Sequence, residues 1–141
     1  MFRKLLYTDD ARTTILIRLM VGAVFLSEGI QKFLFSATRG AGRFEKIGLP
    51  SPELLGYFVG SFEAVCGALV LIGLFTRLAS LPLLVIMLVA IGTTKLDVLA
   101  NDGFWEMLHG SRTDWSMLLG STFLLLKGGG KWSADRALIQ V

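Results

Sequence analysis

Residues 13 to 35 (TTILIRLMVGAVFLSEGIQKFLF) form an apolar run that carries Arg18, Glu28 and Lys32 within it. About 20 apolar residues in a helix cross the hydrocarbon core of a bilayer. A charge held at that depth is costly, so it is paired, reaches toward water or serves a function. With Arg18 at zero and 100° per residue, Phe25 falls at about −20°, Lys32 at about −40° and Glu28 at about −80°. Gly22 and Gly29 lie close by on the positive side. One face of this helix therefore gathers its charges and its smallest residues, and that face has to look into protein.

The rest of the chain repeats the pattern. Of its 141 residues 53% are hydrophobic and only 18% charged, with a mean hydropathy of +0.64. Four apolar stretches, about 13–35, 52–75, 78–94 and 112–127, predict one transmembrane domain over residues 1–141. The expected fold class is all-α, an integral membrane four-helix bundle. A soluble chain of this length has too little interior to hide four helices that are apolar nearly all round. The net charge of +3 does not point to nucleic acid, because Lys and Arg sit mostly at span edges rather than in one patch. One cysteine, Cys66, and one histidine, His109, provide neither an internal disulfide nor a metal-ligand set, so no metal is expected. The first apolar run is too long for a signal peptide core and is interrupted by Arg18, so it is expected to be retained.

Between the spans the chemistry is that of loops and interfaces. Residues 36–50 read as a glycine-containing loop with Phe44, Ile47 and Leu49 at the interface. Ser51-Pro52-Glu53 is a helix start, with serine as cap, proline at the first position and an acid in the first turn. Thr76-Arg77 allows a tight turn. Pro82 falls in the first turns of the third span, where a helix tolerates it. Residues 95–110 read as a loop or short interfacial helix with Phe104, Trp105, Met107 and Leu108. The fourth span is short, about 24 Å from Ser111 to Lys127, and needs local thinning of the bilayer or snorkelling of Lys127. Ser111 and Asp114 have capping-box spacing.

With both termini on one side, that side holds Arg3, Lys4, Arg12, Arg77, Lys127, Lys131 and Arg136. The other holds Arg39, Arg43, Lys46, Lys95 and Arg112. The excess predicts both termini in the cytoplasm and a multi-pass protein of the inner (plasma) membrane.

The second span has a polar face of its own. With Glu63 at zero, Gly56, Gly67 and Gly60 lie at about 20°, 40° and 60°, and Gly56-xxx-Gly60 has small-xxx-small spacing. The economical arrangement brings this face against Gly22 and Gly29. Estimated depths from the outer end are about 5 Å for Lys32, 10 Å for Glu28, 15 Å for Glu63 and 25 Å for Arg18. Glu28 and Lys32 are an i, i+4 pair in the favoured order, and Arg18 is long enough to climb toward Glu63. Arg18, Glu28, Lys32 and Glu63 thus form a candidate buried cluster of zero net charge. Two readings stay open: a network that holds helices together, or a substrate, proton or cofactor site centred on Glu63. Cys66 reads as packing, His109 as an interfacial polar group, and Trp105, Trp115 and Trp132 as membrane anchors. The Gly128–Gly130 run lacks P-loop spacing.

Five segments together resemble the DoxX family of small four-span membrane proteins. They are residues 18–33 (RLMVGAVFLSEGIQKF), Gly48-Leu49-Pro50, Phe62-Glu63-Ala64 followed by Gly67, residues 71–79 (LIGLFTRLA), and residues 128–135 (GGGKWSAD). The last is similar to a G-x-G-x-x-S-x-D ending, with Trp132 where tyrosine is frequent. Glu28 is not identified as one of its hallmark positions, so the pairing of Glu28 rests on this sequence alone. The resemblance implies a four-helix transmembrane bundle with cytoplasmic ends and an association with quinone-dependent oxidation. The cofactor stays unassigned, with quinone the candidate that the resemblance brings in; the candidate partners are a redox enzyme or a second copy, besides the lipid bilayer. A non-catalytic assembly or scaffold protein and a small transporter or proton path are the competing functions. No catalytic residue is assigned.

Overall fold

The first apolar run forms helix α2, Thr14–Leu34, and every other long element packs around it or its neighbour. A computed structural model describes residues 1–140 of the chain. Among these residues the short helices α1 (Phe2–Leu5), α3 (Ser36–Arg39) and α4 (Ala41–Lys46) flank α2, and there is no strand. Helix α5 spans Pro52–Ile72, α6 Thr76–Asp102, α7 Phe104–Gly110, α8 Arg112–Lys127 and α9 Ala134–Gln140.

Helices α2, α5 and α6 are long and apolar enough to cross a membrane; α8, with 16 residues, is shorter than a span. The four long helices touch in a closed ring, α2 to α5, α5 to α6, α6 to α8 and α8 back to α2. The core takes two residues from each: Val21 and Phe25, Cys66 and Val70, Ala79 and Leu83, Met117 and Leu124. Most of these pairs are spaced i, i+4, which is how one stripe of a helix meets a common centre.

The structure departs from the sequence expectations in two connections, α2 to α5 and α6 to α8. Residues 36–46 are two short helices rather than an open loop. Helix α6 runs on to Asp102 instead of ending near Thr94. Residues 95–102 contain no glycine or proline, and Gly103 (φ +96°) is the first residue that breaks the helix. Helix α7 then folds back against α6. The expected serine caps are not made: neither Ser51 nor Ser111 caps its helix through the side chain. Asp114 faces Lys95 at 3.4 Å instead of completing a capping box.

Glycines set the α2–α5 seam. Gly22 and Gly29 on one helix interleave with Gly60 and Gly67 on the other. A side chain on Gly67 would sit 2.6 Å from the amide of Leu26 and 3.0 Å from the Gly22 carbonyl. Gly56 takes no part in this seam; it faces the amide of Ala41 in α4. A methyl group on Gly29 would meet the backbone of Ala64 and the Gly60 carbonyl, with no flexible side chain to give way. Gly29→Ala is therefore expected to lower stability by about 1–3 kcal/mol, as overpacking does. Thermal unfolding in detergent checks it, and an unchanged midpoint would show that the seam is loose.

The N-terminal segment, the 128–135 loop and the α5–α6 turn lie at one end of the bundle. The amide of Asp9 bonds to the Lys127 carbonyl (3.3 Å), that of Lys131 to Ala11 (3.1 Å) and that of Asp135 to Gly73 (2.9 Å). Thr8, 3% exposed, receives the Gly130 amide on its hydroxyl at 2.5 Å.

Candidate functional site

The four charges expected as one cluster do not assemble: Lys32 and Glu63 pair, Arg18 lies at the other end of α2, and Glu28 is exposed. Nearer the end where α2 finishes and α5 begins, Lys32 and Glu63 form an ion pair with Nζ to Oε2 at 2.6 Å. Their side chains are only 10% and 4% exposed. Glycine makes the pair reachable. A Cβ on Gly60 would lie 3.1 Å from the Lys32 Cβ, so the bare backbone at Gly60 lets α2 come close one turn before Glu63. Helical side chains lean toward the N-terminus of their own helix. Lys32 therefore leans inward along α2 while Glu63 leans outward along the antiparallel α5, and the two meet.

Glu28 is not part of this pair. It is exposed on α2, makes no ion pair among the described residues, and leaves Lys32 to cross to α5. Beside it Gln31 donates to the Ser27 hydroxyl at 2.8 Å and accepts a hydrogen bond from Arg39.

Arg18 lies at the opposite end and does not approach Glu63. Its lean along α2 carries the guanidinium toward the end that holds the termini, where α5 stops. Nε donates to the Val70 carbonyl (3.0 Å) and Nη2 to that of Leu71 (2.6 Å). Nη1 donates to the carbonyls of Gly129 (3.4 Å) and Trp132. Two of these acceptors belong to the last turn of α5, where the Val70 carbonyl also takes the Gly73 amide (3.1 Å) and Arg18 supplies a charged donor to both. Gly73 (φ +79°) follows, and a side chain on it would lie 2.9 Å from the guanidinium.

Asp135 completes this site. Its carboxylate accepts the amides of Phe75 (2.6 Å) and Thr76 (2.9 Å), the first free donors of α6. Phe75 adopts φ +49°, a left-handed conformation unfavourable for a side chain with a Cβ. Two charge-assisted hydrogen bonds offset that cost. A cation thus sits at the C-terminus of α5 and an anion at the N-terminus of α6, each on the favourable end of a helix dipole. Ser133 holds the connecting loop by donating to the Gly130 carbonyl at 2.7 Å.

Asp135 is not among the candidate site residues that the sequence suggests, although it ends the 128–135 motif. A buried-looking Ser-x-Asp next to a glycine run, in a chain with an unassigned intramembrane arginine, is the signal that could have found it. Cys66 lies in the apolar core at 6% exposure. His109 is exposed at the end of α7, and Trp105, Trp115 and Trp132 are 77%, 42% and 57% exposed. Two hollows on the surface are open grooves. One is lined by Ser51, Glu53 and Tyr57 and the other by Leu26, Ser27 and Gln31; neither includes Lys32, Glu63 or Arg18.

The DoxX family model matches residues 13–96, more than half of the chain. The chain belongs to the DoxX family. The matched region runs from α2 into α6 and so contains the Lys32–Glu63 pair, Arg18 and the turn that Asp135 caps. Among relatives of this DoxX protein is the "Uncharacterized membrane protein Rv3486" of Mycobacterium tuberculosis, 51% identical over 141 residues, covering 96% of this chain and 86% of the relative. Another is the Bacillus subtilis protein named "Putative oxidoreductase CatD", 31% identical over 116 residues, covering 82% of this chain and 78% of that one. No solved structure matches. The protein is a membrane protein with three helices of span length.

Proposed function

We propose that this DoxX protein is an accessory membrane subunit of a redox system, linked to a quinone-dependent enzyme, and that it supplies structure rather than a reacting group. One observation carries this reading: the four buried charged side chains are engaged with one another or with backbone groups at helix ends. Lys32 and Glu63 neutralise each other, while Arg18 and Asp135 cap helices across the α5–α6 turn. The redox association rests on the family and on the name of the Bacillus relative.

In this reading α8 is a fourth, short span, the whole chain is one transmembrane domain, and both termini face the cytoplasm in the inner membrane. Charge supports that orientation. The end with the termini carries seven Lys and Arg against Asp9, Asp10 and Asp135; the other carries five against six acids. Arg18, Glu28, Lys32 and Glu63 cancel within the spans.

The engaged polar groups serve an assembly scaffold equally well, and the two readings part on the partner. Gentle extraction of the tagged protein from native membranes is expected to retain a redox enzyme, and removal of the chain to lower quinone-dependent oxidation there. A preparation that keeps neither a redox partner nor quinone overturns the redox reading in favour of the scaffold.

A further inference from the structure

We infer that the end of the bundle bearing the termini is a binding surface for anionic phospholipid headgroups, formed where Arg3, Lys4, Arg12, Lys127 and Lys131 surround a ring of exposed apolar side chains. All five cations are exposed, and none takes part in an ion pair among the described residues. Of the three acids at this end, Asp10 is paired with Arg136 at 2.6 Å and Asp135 is buried on the α6 amides. Asp9 accepts the amide of Ala11. The surface is left with a marked excess of positive charge.

The cations are held together by the fold rather than scattered along a flexible tail. The backbone bonds from Asp9 to Lys127 and from Lys131 to Ala11 place Lys127 and Lys131 beside the N-terminal segment. Phe2 stacks edge-on against Phe75 at 5.9 Å, docking α1 with Arg3 and Lys4 under the α5–α6 turn. The Arg77 guanidinium sits 5.2 Å from the centre of the Tyr7 ring, joining the same surface.

The apolar ring tells lipid from a soluble anion. Phe2, Tyr7 and Trp132 are 61%, 60% and 57% exposed, and Leu138 is 50% exposed. Aromatic side chains at this level suit the boundary between headgroups and acyl chains, where tips meet water and rings meet hydrocarbon. Four to eight Lys and Arg at the edge of a transmembrane helix attract anionic lipid, with each engaged cation contributing about a fivefold preference. The proposal rests on the bundle being membrane-embedded with this end at an interface.

The test uses the full chain in mixed micelles with equimolar phosphatidylglycerol and phosphatidylcholine, counting retained lipids by native mass spectrometry. The expected result is at least a fivefold excess of phosphatidylglycerol, falling as salt is raised. The R3Q/K4Q/K127Q/K131Q variant is expected to remove the excess with its unfolding midpoint unchanged, because these side chains make no internal ion pair. Arg39→Gln with Arg43→Gln, at the other end, is expected to leave it intact. Equal retention of the two lipids by the wild type overturns the inference, as does an equal loss from the variant at the other end. The salt dependence of the wild type decides the matter if the quadruple variant does not fold. Protein that fails to enter vesicles of either lipid overturns the membrane reading itself, so the two failures are distinguishable.

Discussion

Lys32→Met is expected to destabilise the protein by about 3–5 kcal/mol, and the double variant Lys32→Met/Glu63→Leu to recover most of that loss. The reasoning turns on the burial of both groups, with side chains only 10% and 4% exposed. Removing one partner leaves a desolvated charge unpaired, which costs far more than the pair itself contributed. Replacing both by apolar side chains of similar volume removes the desolvation penalty together with the attraction, and such replacements are often neutral or stabilising. Unfolding in detergent for the two single variants and the double variant gives the coupling directly. If the double variant is as unstable as Lys32→Met, the model of a mutually neutralised pair is wrong. If the double variant folds normally but membranes containing it lose quinone-dependent oxidation, the pair does more than join two helices, and the structural account of Glu63 fails.

The second large effect is expected at Arg18. Arg18→Met removes the donors to the carbonyls of Val70, Leu71, Gly129 and Trp132. Losing these charged donations at buried acceptors is expected to cost about 3–5 kcal/mol in all. Arg18→Lys is expected to restore less than half of this. A guanidinium reaches out in a planar fork, whereas an ammonium is a compact point charge that cannot serve acceptors on two separate segments at once. The loss is also local. Amide exchange at Gly130 and Asp135 is expected to quicken in Arg18→Met far more than in Lys32→Met. Their bonds to Thr8 and Gly73 belong to the segment that Arg18 clasps. A loss below 1 kcal/mol, or equal quickening in both variants, would show that Asp135 and the 128–135 loop are held without the arginine.

These two expectations rest on different parts of what the sequence shows. The long helices were legible because apolar runs and their end signals are local. Residues 13–35 became α2 at Thr14–Leu34, and residues 112–127 became α8 at Arg112–Lys127. Where the signal is weaker, as between Lys95 and Gly103, the mixed polar and apolar residues read as a loop or short interfacial helix, although nothing before Gly103 ends α6. The glycine faces of α2 and α5 were also readable from periodicity, since period and residue size are properties of one helix at a time. Gly56 shows the limit of that approach: it shares the angle of Gly60 and Gly67, yet its neighbour is α4.

The choice of charge partners was decided only by the assembled bundle. Angles and depths placed Arg18, Glu28, Lys32 and Glu63 on facing surfaces, but they carried no information on the direction in which each side chain leans. On antiparallel helices that lean sends Lys32 and Glu63 toward each other and Arg18 toward the end of α5. It also leaves Glu28 outside the seam. Asp135 lies 117 residues from Arg18 along the chain, and no local pattern reports that the two cap opposite sides of the same turn. The sequence by itself determined that the chain makes long apolar helices with charges on their glycine faces, because hydrophobic periodicity and residue size act within a helix. The tertiary structure decided which charges meet, because that depends on where the bundle ends and on which backbone groups remain unpaired there.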